Sequence, residues 1–150
     1  MLLTSILSAL ALAAGLMQTA HRATGTFDVT IASLPDTAAD PSLGRMSIEK
    51  RFHGDLEGTS RGQMLTAGTA VKDSAGYVAI EKVTGTLRGR KGTFILQHTA
   101  TMERGQGQLT IVVVPDSGTE QLAGLAGKMT ITIDGSKHSY EFEYTLPEQQ

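Results

Sequence analysis

A glutamate in the middle of an apolar strand pattern is the residue of this chain with the most chemical promise. Glu81 shares one face of the segment Tyr77–Leu87 with Tyr77, Ala79 and Val83. If that face points inward, burial disfavours the charged carboxylate and raises its pKa, as a general acid or base requires. If it points outward, or bonds a cross-strand Arg or Thr, Glu81 is structural. His98 lies on a face with Phe94, Leu96 and Met102. It can hydrogen-bond a ligand or carry a proton, or stand as a satisfied histidine of the core or rim. Gln97 points to the opposite face of a regular strand. It stays a candidate because a one-residue change of register exchanges the faces.

Arg90 sits in the glycine-flanked stretch Gly89-Arg90-Lys91-Gly92, where a planar guanidinium can close a pocket mouth and hold a carboxylate or can simply be solvated. Tyr140, Phe142 and Tyr144 form a one-face stripe. Such a stripe is core packing or the wall of a pocket, and its tyrosine hydroxyls need partners when buried. The candidate ligand contacts are therefore Glu81, His98, Gln97, Arg90, Tyr140 and Tyr144, with Glu81 the one candidate catalytic group.

Other patterns carry less. His53 and Asp55 share a strand face beside Gly54 and Gly58, but no His-x-His and no His-Glu-x-x-His accompanies them, so a turn with a capping Asp is the better account. Ser117-Gly118-Thr119 lacks the glycines of a nucleophile elbow. Gly85, Gly89 and Gly92 match neither a phosphate-binding loop nor a dinucleotide fingerprint, and no helix follows them. The chain has no cysteine, which excludes disulfides, thiolate catalysis and Cys-ligated metal. No metal and no cofactor is expected.

The elements that must position these residues are strands. Beyond residue 22 the hydropathy alternates with period two, and no amphipathic helix of useful length occurs. The pattern predicts strands over Ala23–Ser33, Arg45–Asp55, Thr59–Thr69, Tyr77–Leu87, Thr93–Met102, Gln108–Val114, Gly127–Ile133 and Lys137–Leu146. Hairpin turns are predicted at Gly89-Arg90-Lys91-Gly92, Gly105-Gln106-Gly107 and Asp134-Gly135-Ser136. The run Ile111-Val112-Val113-Val114 suggests burial on both faces. The 17 glycines among 150 residues exceed the usual share of about 7% and fit tight turns and bulges. Eight strands with short turns can close into a barrel or stack as a two-sheet sandwich, and the pattern does not separate the two.

The net charge is −2, with both signs interspersed and no basic block, so nucleic acid is not an expected partner. Residues 1–20 carry no charged side chain, and Ile6–Leu16 has the length of a signal-peptide apolar region rather than a comfortable membrane span. The leader lacks a basic n-region, and Gln18 sits two residues before Ala20. The expected organisation is a leader over 1–20, a barrel domain over 23–147 and a tail over 148–150, with no stable membrane span in the mature protein. The protein is periplasmic or secreted if the leader is a signal peptide, and cytoplasmic if translation starts at Met17.

The stretches Val83–His98, Val113–Thr119 and Leu122–Gly127, with Gly25–Val29, His53–Gly58 and Ile80–Val83, resemble a bacterial family of unknown function with an allene oxide cyclase-like barrel. The resemblance spans most of residues 23–146. It implies an all-β fold, a single antiparallel eight-stranded barrel with the apolar leader outside it, that self-associates as a homo-oligomer. It also implies distant kinship with allene oxide cyclases and dirigent proteins, which handle apolar oxygenated or phenolic small molecules, and it supplies no reaction. Ser33-Leu34-Pro35 stands where the family has a Trp, and Asp116, Glu120 and Ala126 replace Gly, Gly and Arg, so contacts made by that Trp or Arg do not carry over.

An eight-stranded barrel has an interior that side chains just fill or that holds one small ligand. The first expectation is a protein that binds a small apolar molecule in the barrel or at its mouth. The alternatives are an isomerase or cyclase using Glu81 as acid/base, and a packed barrel that works as a structural or interaction module. Whether catalysis takes place stays open at this point.

Overall fold

The computed structural model describes residues 18–35 and 40–148. The described chain is a closed antiparallel barrel of eight strands in sequential order: β1 (Ala20–Ser33), β2 (Leu43–Gly54), β3 (Leu56–Gly68), β4 (Ala75–Leu87), β5 (Arg90–Glu103), β6 (Gln106–Val113), β7 (Ala126–Asp134) and β8 (Lys137–Thr145). The apolar leader up to Met17, and with it the proposed internal start, lies outside the described residues. β1 begins at Ala20, inside the stretch expected as leader. Residues Ala20 to Arg22 pair with Glu143 to Thr145 of β8, and the His21 ring lies 5.4 Å from that of Tyr144. Among the described residues no helix is long and apolar enough to cross a membrane.

The period-two pattern sets the two faces of the wall. Phe27, Phe52, Val83, Phe94, Leu96 and Phe142 point inward and are buried. Full burial of each such side chain stabilises the fold by roughly 1.5–3 kcal/mol. Large inward rings need room opposite them, and Gly25 provides it for Tyr140, since a Cβ there would lie 2.8 Å from the ring. The run Ile111–Val114 is not buried on both faces. Ile111 and Val113 point into the core while Val112 is exposed on the outer wall, because among the described residues no helix covers this face of the antiparallel wall.

Two hairpins turn earlier than the glycine clusters suggest. Arg88-Gly89 and Arg104-Gly105 both have positive φ at both positions, the requirement of a two-residue type I′ turn that matches strand twist. Arg90 consequently begins β5 rather than occupying a turn, and pairs with Leu87.

One end of the barrel is plugged. The connector between β6 and β7 carries a short 3₁₀ turn, Glu120–Leu122, which puts Leu122 and Leu125 into the core. Its polar side chains complete the edge of β5 where β6 has ended: Ser117 Oγ accepts from Ile95 N at 3.0 Å, and Thr119 Oγ1 accepts from Thr93 N at 3.0 Å. Ser117 and Thr119 are thus edge caps. The opposite end, where β1, β3, β5 and β7 finish, has no such plug among the described residues. Beside it the β6–β7 ladder is short, with Ile111 opposite Met129 and Val112 opposite Lys128. Every other ladder of the barrel is longer.

Candidate functional site

Four consecutive strands each send one polar side chain to the same point inside the barrel. Lys50 of β2 and Ser60 of β3 face each other across their ladder, as do Ala79 of β4 and His98 of β5. Glu81, two residues along β4 from Ala79, faces Gly62 of β3. That glycine puts no side chain between β2 and β4, so Lys50 reaches across.

Lys50 Nζ donates to Glu81 Oε1 at 2.7 Å, and Ser60 Oγ donates to Oε2 at 2.7 Å. His98 Nε2 lies 2.8 Å from Oε1. An ionised carboxylate only accepts, so the proton of this contact belongs to Nε2. The Lys50 ammonium also sits 5.1 Å from the centre of the Phe27 ring and 5.8 Å from that of Phe52, within range of a cation–π attraction. All four polar residues are buried.

Of the two readings of Glu81, the electrostatics favour the structural one, with Lys50, Ser60 and His98 as the cross-strand partners in place of an Arg or Thr. Burial alone would push the Glu81 carboxyl up. The hydrogen bond from His98, the charge and hydrogen bond of Lys50, and the Ser60 hydroxyl outweigh it and hold Glu81 at about 2. Glu81 is a permanently ionised counter-ion at neutral pH, with both oxygens occupied, and not a poised acid or base. Lys50 and Glu81 cancel each other, so the layer is strongly polar and electrically balanced.

The remaining candidates are dispersed. Gln97 is exposed on the outer wall, opposite Ile80 and Val112. Arg90 lies at the plugged end, where its guanidinium donates to the Pro147 carbonyl at 3.2 Å. Tyr140 is a structural tie. Its hydroxyl accepts from Leu56 N at 2.9 Å and donates toward the His53 carbonyl at 3.3 Å, which fixes the turn between β2 and β3. Burial pushes its phenol up. Tyr144 stacks on Phe142 with ring centres 5.2 Å apart, also in the plugged half. Asp55 accepts from Thr24 N and from Arg88, and His53 meets Asp28, which accounts for that pair as turn and edge contacts.

Above the polar layer, toward the unplugged end, burial declines. Ile48, Met64 and Ala79 form a small cluster there with the half-buried Met46 and Tyr77. Near this end, Ile31 of β1, Met102 of β5, Leu109 of β6 and Ile133 of β7 hold inward positions of their strands. They are 46%, 45%, 44% and 66% exposed. The outer wall carries shallow hollows, such as one of about 340 Å³ bounded by Thr59, Ser60, Arg61, Lys82 and Thr84, and Glu81 and His98 line none of it. Lys50, Ser60 and Tyr77 were not singled out above. The signal for Lys50 was present, since it occupies the apolar register of β2 between Ile48 and Phe52.

No curated protein matches the chain. Among solved structures, the chain is similar to a protein of unknown function from Shewanella oneidensis MR-1, described as a member of the DUF3224 family. The two share 46% sequence identity with a TM-score of 0.82, over 87% of this chain and all of that one. The profile of that family, described as "Protein of unknown function (DUF3224)", matches residues 23–144. A shared profile over the whole barrel, together with a crystal structure of the same shape, makes this chain a member of the DUF3224 family.

Proposed function

We propose that the open end of the barrel binds a small, largely apolar molecule, seated on Ile31, Met102, Leu109 and Ile133 above the Lys50–Glu81 layer. One observation carries this reading. These four side chains obey the inward parity of their strands and are nevertheless about half exposed or more. Inward apolar surface left in water forgoes about 25 cal/mol per Å², and an apolar concavity rimmed by strand ends is a common form of ligand site. The methionines at this end add unbranched, polarisable side chains that adapt to a guest. An isomerase working through Glu81 has less support, because its carboxylate is enclosed, saturated and ionised.

A ligand that binds only the folded protein raises its melting temperature. A panel of hydrophobic small molecules is expected to contain members that do so. Leu109→Asp is expected to abolish the shift while changing the unliganded melting temperature little, since the side chain is already half exposed. A flat response across the panel, or shifts indifferent to Leu109→Asp, would remove the proposal.

A further inference from the structure

The floor of the mouth restricts what the guest can carry. Beneath it, past the buried Ile48, Met64 and Ala79, lies an ion pair that is already complete, with Lys50 Nζ on one Glu81 oxygen and Ser60 on the other. Side-chain exposure is 3% for Lys50 and 0% for Glu81, so neither ion has water to absorb an extra charge. A carboxylate brought down to this floor would meet Lys50 but leave the group as a whole negative, and an ammonium would leave it positive. Either excess charge sits in a poorly solvated site, where the penalty is several kcal/mol per ion.

Nearer the mouth lie polar groups without such a commitment. Tyr77, on β4 between the mouth and Glu81, is half-buried, and its hydroxyl has no hydrogen-bond partner among the described residues. Burial and the nearby Glu81 charge both push its phenol up, so it stays protonated and can donate or accept. Thr66 of β3 stands directly opposite it, and Met46, Met64 and Ala79 pack around it.

We propose that the guest of the mouth is a neutral amphiphile whose polar end, a hydroxyl or a carbonyl, hydrogen-bonds Tyr77 above the charge-balanced Lys50–Glu81 pair. This rests on the mouth being a ligand site, and it adds the class of ligand and the residue that reads it. The guest lies with its polar end inward and its apolar body against Leu109, Ile133 and Met102.

Three probes with one chain length, 1-decanol, decanoate and decylammonium, distinguish the possibilities at pH 7. Titration calorimetry on the whole protein is expected to rank 1-decanol tightest, with the two ions at least about tenfold weaker. Tyr77→Phe, which deletes one partly exposed hydroxyl and should fold, is expected to weaken 1-decanol by about fivefold. It should leave binding of 1-chlorodecane, which lacks a comparable hydrogen-bonding end, unchanged. Equal affinity for all three heads would mean that the head stays in water, and would overturn the inference while sparing the site. Tighter binding of decanoate or decylammonium, or an unaltered affinity for 1-decanol in Tyr77→Phe, would overturn it equally. If none of the probes binds, the mouth itself fails as a ligand site and the inference falls with it.

Discussion

Gly62 faces Glu81 across the β3–β4 ladder so closely that a methyl group on residue 62 would come 2.7 Å from the Glu81 Cβ. The polar layer exists in its present form because this position has no side chain. The added carbon would also collide with the Ile80 carbonyl oxygen and the Glu81 Cα, so Gly62→Ala forces the β3 and β4 backbones apart, and overpacking of this kind costs about 1–3 kcal/mol. Urea denaturation is the measurement. A variant as stable as the parent would mean that β3 and β4 yield at this point and that the contact is not binding on Glu81.

The ionised state of Glu81 has a signature in acid. Its folded pKa, about 2, lies below the ordinary 4.5. The folded state therefore holds the proton less tightly than the unfolded chain. The resulting stabilisation is fully present above pH 4.5 and is lost as the pH falls from there toward 2. Its size is on the order of 3 kcal/mol. Denaturation curves between pH 2 and 6 should show a steeper loss of stability for the parent than for Glu81→Gln, which cannot titrate at this position. Parallel curves would show that Glu81 does not carry that share of the acid sensitivity.

Tyr140 ties the β2–β3 turn from inside the plugged half. Tyr140→Phe keeps the ring and its 5.7 Å edge contact with Phe52 but leaves the buried Leu56 N–H without its acceptor. The expected cost is about 1–3 kcal/mol, read as a lower melting temperature, with the binding of mouth ligands unchanged. A selective loss of binding would instead return Tyr140 to the ligand site.

Much of this architecture is written in local pattern. Period-two alternation marks all eight strands, and the inward sets Phe94, Leu96, His98 and Tyr140, Phe142, Tyr144 follow from parity alone. Where the reading fell short, the deciding contact lies between distant segments. The run Ile111–Val114 reads as doubly buried, but Val112 lies on the outer face, which no other described element covers. Glu81 reads as a candidate acid because its neighbours on its own strand face, Ala79 and Val83, are apolar. Its true partners come from β2, β3 and β5, and Lys50 meets it only because Gly62 intervenes. Lys50 itself was visible as a charge in the apolar register of β2. What the sequence could not supply was the opposite charge waiting for it two strands away.

The short β6–β7 ladder has a mechanical consequence. A wall fastened by Ile111–Met129 and Val112–Lys128 on one side, and by long ladders everywhere else, is a rolled sheet with a brief lap joint rather than a uniform tube. Fewer backbone hydrogen bonds hold this seam than any other, so it is the line of least resistance in the wall. Leu109, Ile131 and Ile133 lie along its two edges.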